Sequence, residues 1–199
     1  MAQDGGKRDE ILTAAGMVFG RYGYRKTNMG DILREAGVAR ATLYKYFSSK
    51  EETFEAVVDR EVEDILSSVR TAVAQAGTTR EKLRAAIMTY TELITRKANI
   101  YRVTLKTLSD VMPMRTGQVL RLARQLQTVF EEVLEDGVAS SEIAVDVEEM
   151  ESTALTLVYA IKGIFIGAAT DVWLGSRDAI VNRLLDLILD GLRPRKESA

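Results

Sequence analysis

Apolar residues return at three- and four-residue steps along nearly the whole chain, and no segment alternates strictly enough for a strand. That spacing is the helical one. Ile11, Ala15, Val18 and Tyr22 mark a first helix, and Gly23 stands where a C-terminal cap belongs. Asn28 can cap a second helix, with Asp31 three residues on completing a capping box and Met29, Ile32, Leu33 and Ala36 facing inward. Gly37 ends that helix, and a short third one follows the turn Gly37-Val38-Ala39. Ser49 with Glu52 forms another capping box and starts a long fourth helix, along which Phe54, Val58, Ile65, Val69 and Val73 recur. Thr78 with Glu81 starts the next. Further helices are expected near Asn99, after Pro113, at Asp146 with Glu149 in the boxed position, and at Ser176, with EDGVASSEIAVD as the longest link. The expectation is an all-α chain of about nine helices. Three short helices in residues 1–50 form a helix-turn-helix module, and a long helix joins it to a larger helical bundle in residues 51–199.

The third helix raises the functional question. It lies in GVARATLYKYFSSKEE, which concentrates tyrosine, threonine and lysine on a short element. At about 100° per residue, Leu43 and Phe47 fall within about 40° of each other and make a buried face. Ala41, Thr42 and Lys45 point the other way, with Arg40, Tyr44 and Tyr46 flanking them. Two short helices joined by a glycine-containing turn, the second showing small, hydroxyl and basic side chains, meet the requirements of a helix-turn-helix. A recognition helix must enter a major groove about 12 Å wide, so bulk on its leading face would obstruct it. Ala41 and Thr42 are small enough. Tyr44 and Tyr46 can donate to phosphate oxygens on either side, and Lys50 adds a positive charge at the next helix start. Any one of these side chains could simply solvate a surface helix; the set together requires several coincidences.

Composition sharpens this. Among 199 residues there is no cysteine and no histidine. A disulfide framework is therefore impossible and an intracellular, cytoplasmic protein is expected. The commonest general base and the commonest transition-metal ligand are missing too, so no cofactor or metal is expected. The first ten residues, MAQDGGKRDE, hold no apolar signal core. The most apolar run, ALTLVYAIKGIFIGAAT, carries Lys162 at its centre, which argues against a membrane span. A formal net charge of −2 hides an asymmetry: Lys and Arg exceed Asp and Glu in residues 1–50, and the reverse holds in 51–199. A basic module that meets a polyanion, attached to an acidic body that does not, fits that division.

TNMGDILREAGVARATLYKYFSSKEETF closely resembles the N-terminal signature of the TetR family of transcriptional repressors. The likeness runs from about Ile11 to Phe54 and includes the glycine after the second helix, the Thr-Leu-Tyr-x-x-Phe run and the lysine that follows. It implies a homodimer that binds a palindromic double-stranded DNA operator and leaves it when a small-molecule effector enters the C-terminal domain. Carried over by position, Arg40, Ala41, Thr42 and Tyr44 would meet bases or their methyl groups, and Asn28, Tyr44, Tyr46 and Lys50 would hold phosphates. Two positions depart from the family pattern. Gly30 stands where a basic or polar contact is frequent, and Ala39 where a serine or threonine often caps the third helix, a loss of about 1 kcal/mol.

In the larger domain, Ala160, Gly163 and Gly167 form a small-residue strip, and Ile180, Leu184, Leu187 and Ile188 an apolar stripe. The resemblance implies that these two helices pair with their copies in a four-helix dimer interface; ordinary packing within the chain is the alternative. Met88, Tyr90, Tyr101, Leu105, Phe130, Tyr159, Phe165 and Trp173 are candidates to line an effector cavity, although each also fits a plain core. Lys162, the lone charge between Ser152 and Thr170, suits either a lysine whose head reaches solvent or the counter-charge of an acidic ligand. Two other functions compete: a small all-α enzyme using carboxylate chemistry, and a helical adaptor that binds protein. The first lacks histidine and cysteine, and the second leaves the basic N-terminal region unexplained.

Overall fold

The computed structural model describes residues 2–100, 105–169 and 176–192. Among them are eight helices and no strand: α1 (Ala2–Tyr22), α2 (Met29–Ala36), α3 (Arg40–Tyr46), α4 (Lys50–Ala74), α5 (Thr79–Ile100), α6 (Leu105–Ala139), α7 (Val147–Ala169) and α8 (Arg177–Gly191). The all-α architecture with an N-terminal helix-turn-helix is as expected; the helix boundaries in the middle of the chain are not. Asn99 lies in the last turn of α5, and α6 runs unbroken through Pro113. A proline removes one donor and crowds one carbonyl, a local cost of about 3 kcal/mol. The later turns of α6 bury Leu122, Leu126, Val129, Phe130, Val133 and Leu134, which offsets it. The first residues of EDGVASSEIAVD are helical as well, so the link to α7 shrinks to residues 140–146. Tyr101 and Trp173 lie outside the described residues, as do the side chains of Leu105 and Phe165 and the surroundings of Gly167.

The chain divides into two compact units: residues 1–63 with 96–118, and residues 64–95 with 119–199. The first holds the helix-turn-helix. Ile11, Leu12, Ala15, Val18 and Phe19 of α1 are buried together with Ile32, Leu43 and Phe47. Tyr22 is half exposed, contrary to the expected stripe. Gly23 ends α1 in the left-handed region (φ +78), and after it the ring of Tyr24, not Tyr22, reaches Phe19 (6.0 Å) and Phe54 (4.8 Å).

In the second unit, α8 is tied to α5 along one side. Arg80 pairs with Asp186 (2.8 Å), and Arg84 reaches both Asp178 and Asn182. These pairs are half exposed and each contributes little, about 0–1 kcal/mol; the burial of Val181 and Leu185 holds the helix in place. At the same N-terminal end of α5, a Cβ on Gly137 of α6 would lie 2.5 Å from Thr79 Oγ1, so glycine is required for this approach. Glu142 then accepts a hydrogen bond from the Thr79 N–H (2.8 Å), and the Ala144 N–H donates to the carbonyl of Leu192 (2.7 Å).

Candidate nucleic-acid interface

The helix-turn-helix is set by its caps. Asn28 Oδ1 accepts from the Asp31 N–H (3.1 Å) while Asp31 Oδ2 accepts from the Asn28 N–H (3.0 Å), so the expected box is complete. Gly37 takes a left-handed conformation (φ +62), and its N–H donates to the Leu33 carbonyl (3.1 Å). A side chain here would strain the turn that separates α2 from α3. Of the α2 residues expected to face inward, Ile32 is buried and Met29, Leu33 and Ala36 are half-buried. Ala39 precedes α3 without a side-chain cap, as its identity requires. The Ser49 box forms only by half. Ser49 Oγ accepts from the Glu52 N–H (3.1 Å), but the Glu52 carboxylate turns to Ser48, which offers both its N–H (2.7 Å) and its hydroxyl (2.6 Å). Two donors on one residue outcompete the single one on Ser49, and they hold the Glu52 carboxyl below the usual carboxylate range. The Thr78–Glu81 box, in the second unit, is complete.

On α3 and its C-cap, Leu43 and Phe47 are buried, Arg40, Ala41, Tyr44 and Lys45 are exposed, and Thr42 and Tyr46 are half-buried. The outward side is thus narrow in bulk at Ala41 and Thr42 and cationic at its edges. Each cation rests on a ring: the Arg40 guanidinium 5.4 Å from the Tyr44 centroid, Lys45 Nζ 5.1 Å from that of Tyr46. Such stacking shields the apolar stems while leaving the charge available to an anion. Lys50, at the first residue of α4, is held more closely. Its Nζ donates to the Tyr24 carbonyl (3.3 Å) and lies 4.4 Å from the Tyr24 ring. The Tyr24 hydroxyl donates to Glu51 Oε1 (2.7 Å). Burial, reinforced by that bond and the Glu51 charge, pushes the Tyr24 phenol up to about 12, and the same bond draws the Glu51 carboxyl down.

Tyr24 had no role in the sequence reading. Its partners lie 26 and 27 residues away, and no local periodicity pairs positions so distant. The one available signal was an aromatic directly after a helix-ending glycine, in RYGYRK.

The candidates in the second unit separate into two groups. Tyr90 (6% exposed) and Phe130 (0%) are in the core and Met88 is half-buried; burial pushes the Tyr90 phenol up to about 12. Tyr159, expected beside them, is 62% exposed, and Lys162 Nζ sits 5.0 Å from its ring, so this cation is carried to the outer side of α7. Gly163 is exposed, and a Cβ there would meet nothing within 4 Å. Ala160, Leu184 and Ile188 are half-buried, whereas Ile180 (37%) and Leu187 (60%) are exposed.

A capped two-helix unit with a glycine turn, whose second helix shows a small, hydroxyl-bearing and basic face, defines a helix-turn-helix DNA-binding protein. Two family descriptions match the chain: "Bacterial regulatory proteins, tetR family" over residues 11–57, and "Tetracyclin repressor-like, C-terminal domain" over residues 76–165. The chain belongs to the TetR family of DNA-binding transcriptional regulators. It is 34% identical over 113 residues to the HTH-type transcriptional activator FasR of Mycolicibacterium smegmatis, a match to 57% of this chain and 52%, about half, of that relative. It is 28% identical over 193 residues to the HTH-type transcriptional repressor KstR2 of Rhodococcus jostii, covering 94% of this chain and 91% of the other. Its fold matches the crystal structure of the transcriptional regulator FadR from Bacillus subtilis in complex with stearoyl-CoA, with a TM-score of 0.68, 19% identity, and coverage of 92% and 98% of the two chains. Among the described residues no helix is long and apolar enough to cross a membrane.

Proposed function

We propose that the protein is a repressor that binds a palindromic operator as a homodimer and is released by a long-chain acyl thioester. The observation that carries the DNA reading is the face of α3: small at Ala41 and Thr42, cationic at Arg40 and Lys45, with hydroxyls at Tyr44 and Tyr46. In this reading residues 1–50 form the DNA-binding module and 51–199 the effector and dimer domain. Arg40, Ala41, Thr42 and Tyr44 meet base edges, while Asn28, Tyr44, Lys45, Tyr46 and Lys50 hold the backbone. One short helix reads too few base pairs, and two copies in successive major grooves, about 34–36 Å apart, read enough. The dimer is supported by the exposed apolar side chains of α7 and α8, Leu155, Tyr159, Ile180 and Leu187, with the open Gly163. In this reading Tyr159 and Lys162 belong to the copy-to-copy face instead of the effector cavity, and Met88, Tyr90 and Phe130 remain as its lining.

Repression is supported by KstR2, the relative matched over nearly its whole length. The effector class is supported by the stearoyl-CoA complex of FadR together with the apolar interior of the second unit. Because α4 is one helix from Lys50 to Ala74, an effector pressing on it near the buried Ile65 and Val69 shifts Lys50 and the spacing of the two recognition helices. Full reversal from 1:99 to 99:1 requires a differential affinity of about 5.5 kcal/mol. The experiment selects duplexes from a random-sequence pool, then titrates stearoyl-CoA, stearate and free CoA against the bound duplex and follows anisotropy. Release by stearoyl-CoA alone is expected. A non-palindromic consensus, or release by none of the three, overturns the respective part.

A further inference from the structure

The corner where α3 meets α4 contains a cation whose ammonium has two partners within the protein itself. Lysine ordinarily carries about 2 kcal/mol of rotamer entropy, lost when its ammonium is fixed on a phosphate. Here the ammonium of Lys50 lies over one aromatic ring, 4.4 Å from its centroid, and donates to the carbonyl of the same residue (3.3 Å). The ring is itself fixed. Phe54 lies 4.8 Å and Phe19 6.0 Å from it, both buried, and Phe19 and Phe54 meet edge to face at 5.1 Å. Its hydroxyl is tied to Glu51, the next residue on α4 after Lys50. A lysine at a helix N-terminus is opposed by the helix dipole, so without such a hold it would swing away from the first turn.

We infer that Tyr24 is a positioning residue for DNA binding: its ring and carbonyl hold the Lys50 ammonium at the α3–α4 corner, so that a backbone phosphate is met by a cation ordered in advance. The inference rests on the proposed phosphate contact of Lys50. Tyr24 acts through Lys50, and its aromatic face carries the function. The bond from its hydroxyl to Glu51 fixes the ring's orientation and is secondary.

The test is a double-mutant cycle on the full chain with Tyr24→Leu and Lys50→Met, read as affinity for a labelled duplex that the protein itself has recovered from a random-sequence pool. Tyr24→Leu is expected to weaken binding by about 2- to 10-fold, the effect of ordering one rotamer-rich side chain during binding. In the Lys50→Met background the same change is expected to have no further effect, and Tyr24→Phe is expected to restore affinity. Lys50→Met also lowers the salt slope of log affinity by about one. Equal losses from Tyr24→Leu in both backgrounds make Tyr24 a packing residue and overturn the inference while leaving the Lys50 contact standing. Wild-type affinity and salt slope in Lys50→Met remove the contact and the inference with it. Should Tyr24→Leu unfold, the ε-methylene protons of Lys50 in the wild type decide: an upfield ring-current shift is expected, and its absence overturns the inference.

Discussion

The two exposed faces of this chain, α3 in the first unit and α7 with α8 in the second, differ in chemistry rather than in exposure. Tyr44 (42%) and Leu187 (60%) are both large side chains left uncovered. Around Tyr44 stand cations stacked on rings. Around Leu187 stand Ile180 and the half-buried Leu184, with polar partners turned inward toward α5. A face edged by cations is suited to a solvated polyanion, and one centred on exposed apolar side chains to a surface that excludes water. On the function proposed above, the contrast corresponds to two partners: nucleic acid for the first face, a second copy for the other.

The strongest way to break the contrast is at the apolar face. Leu187→Glu is expected to yield a folded monomer, since the carboxylate is solvated in the single chain and would be desolvated in the pair at a cost of several kcal/mol. Leu185→Glu, two positions away and fully buried, is expected to unfold the second unit. Light scattering beside circular dichroism distinguishes these outcomes; a folded Leu187→Glu dimer moves the interface elsewhere. Next in size, Leu43→Ala is expected to destabilise the helix-turn-helix by about 2–5 kcal/mol, as for other buried leucines, which thermal denaturation measures. Smaller again, Tyr44→Ala or Lys50→Ala is expected to weaken DNA binding by about 1–3 kcal/mol while leaving the melting curve nearly unchanged. Ala39→Ser is expected to add the missing cap on α3 and about 1 kcal/mol of stability.

The smallest effect is one of pH. The carboxyls of Glu51 and Glu52 lie below their ordinary value of 4.5 when folded, so their contribution is present above pH 4.5 and lost as pH falls through the depressed folded values. Tyr24 works in the other direction, contributing below pH 10 and losing its contribution as pH rises through about 12. In Tyr24→Phe the alkaline loss should shrink to the part that the buried Tyr90 contributes, and the acid loss should shrink because Glu51 no longer has its donor; denaturation followed across pH measures both.

Much of the first unit was legible because its determinants are local. Caps three residues apart and a buried pair four apart lie within the reach of helical periodicity, and so the Asn28 box, the Gly37 turn and the Leu43–Phe47 face could be read directly. What escaped involves competition or distance. Glu52 chose Ser48 over Ser49 by a count of donors, Pro113 was outweighed by the packing of later turns, and Tyr24 found Lys50 across an entire helix-turn-helix. The second unit was less legible for the same reason. Apolar spacing showed that α7 and α8 have stripes, but not that Tyr159 lies outside while Tyr90 lies within, since a helix with apolar residues around most of its circumference has no unique inner side.

The clasp between α5 and α8 bears on the order in which the chain acquires its structure. Arg84 meets Asp178 across 94 residues, and Thr79 meets Glu142 across 63. The bonds that cap α2 span only three. Closing long loops is slow because their entropy must be lost before any contact forms. On a ribosome the helix-turn-helix can therefore settle while α8 is still unsynthesised, and Arg80 and Arg84 of α5 wait for their partners until α8 emerges. During that interval the part of α5 that α8 covers is open to solvent, and docking of α8 is the step that closes it.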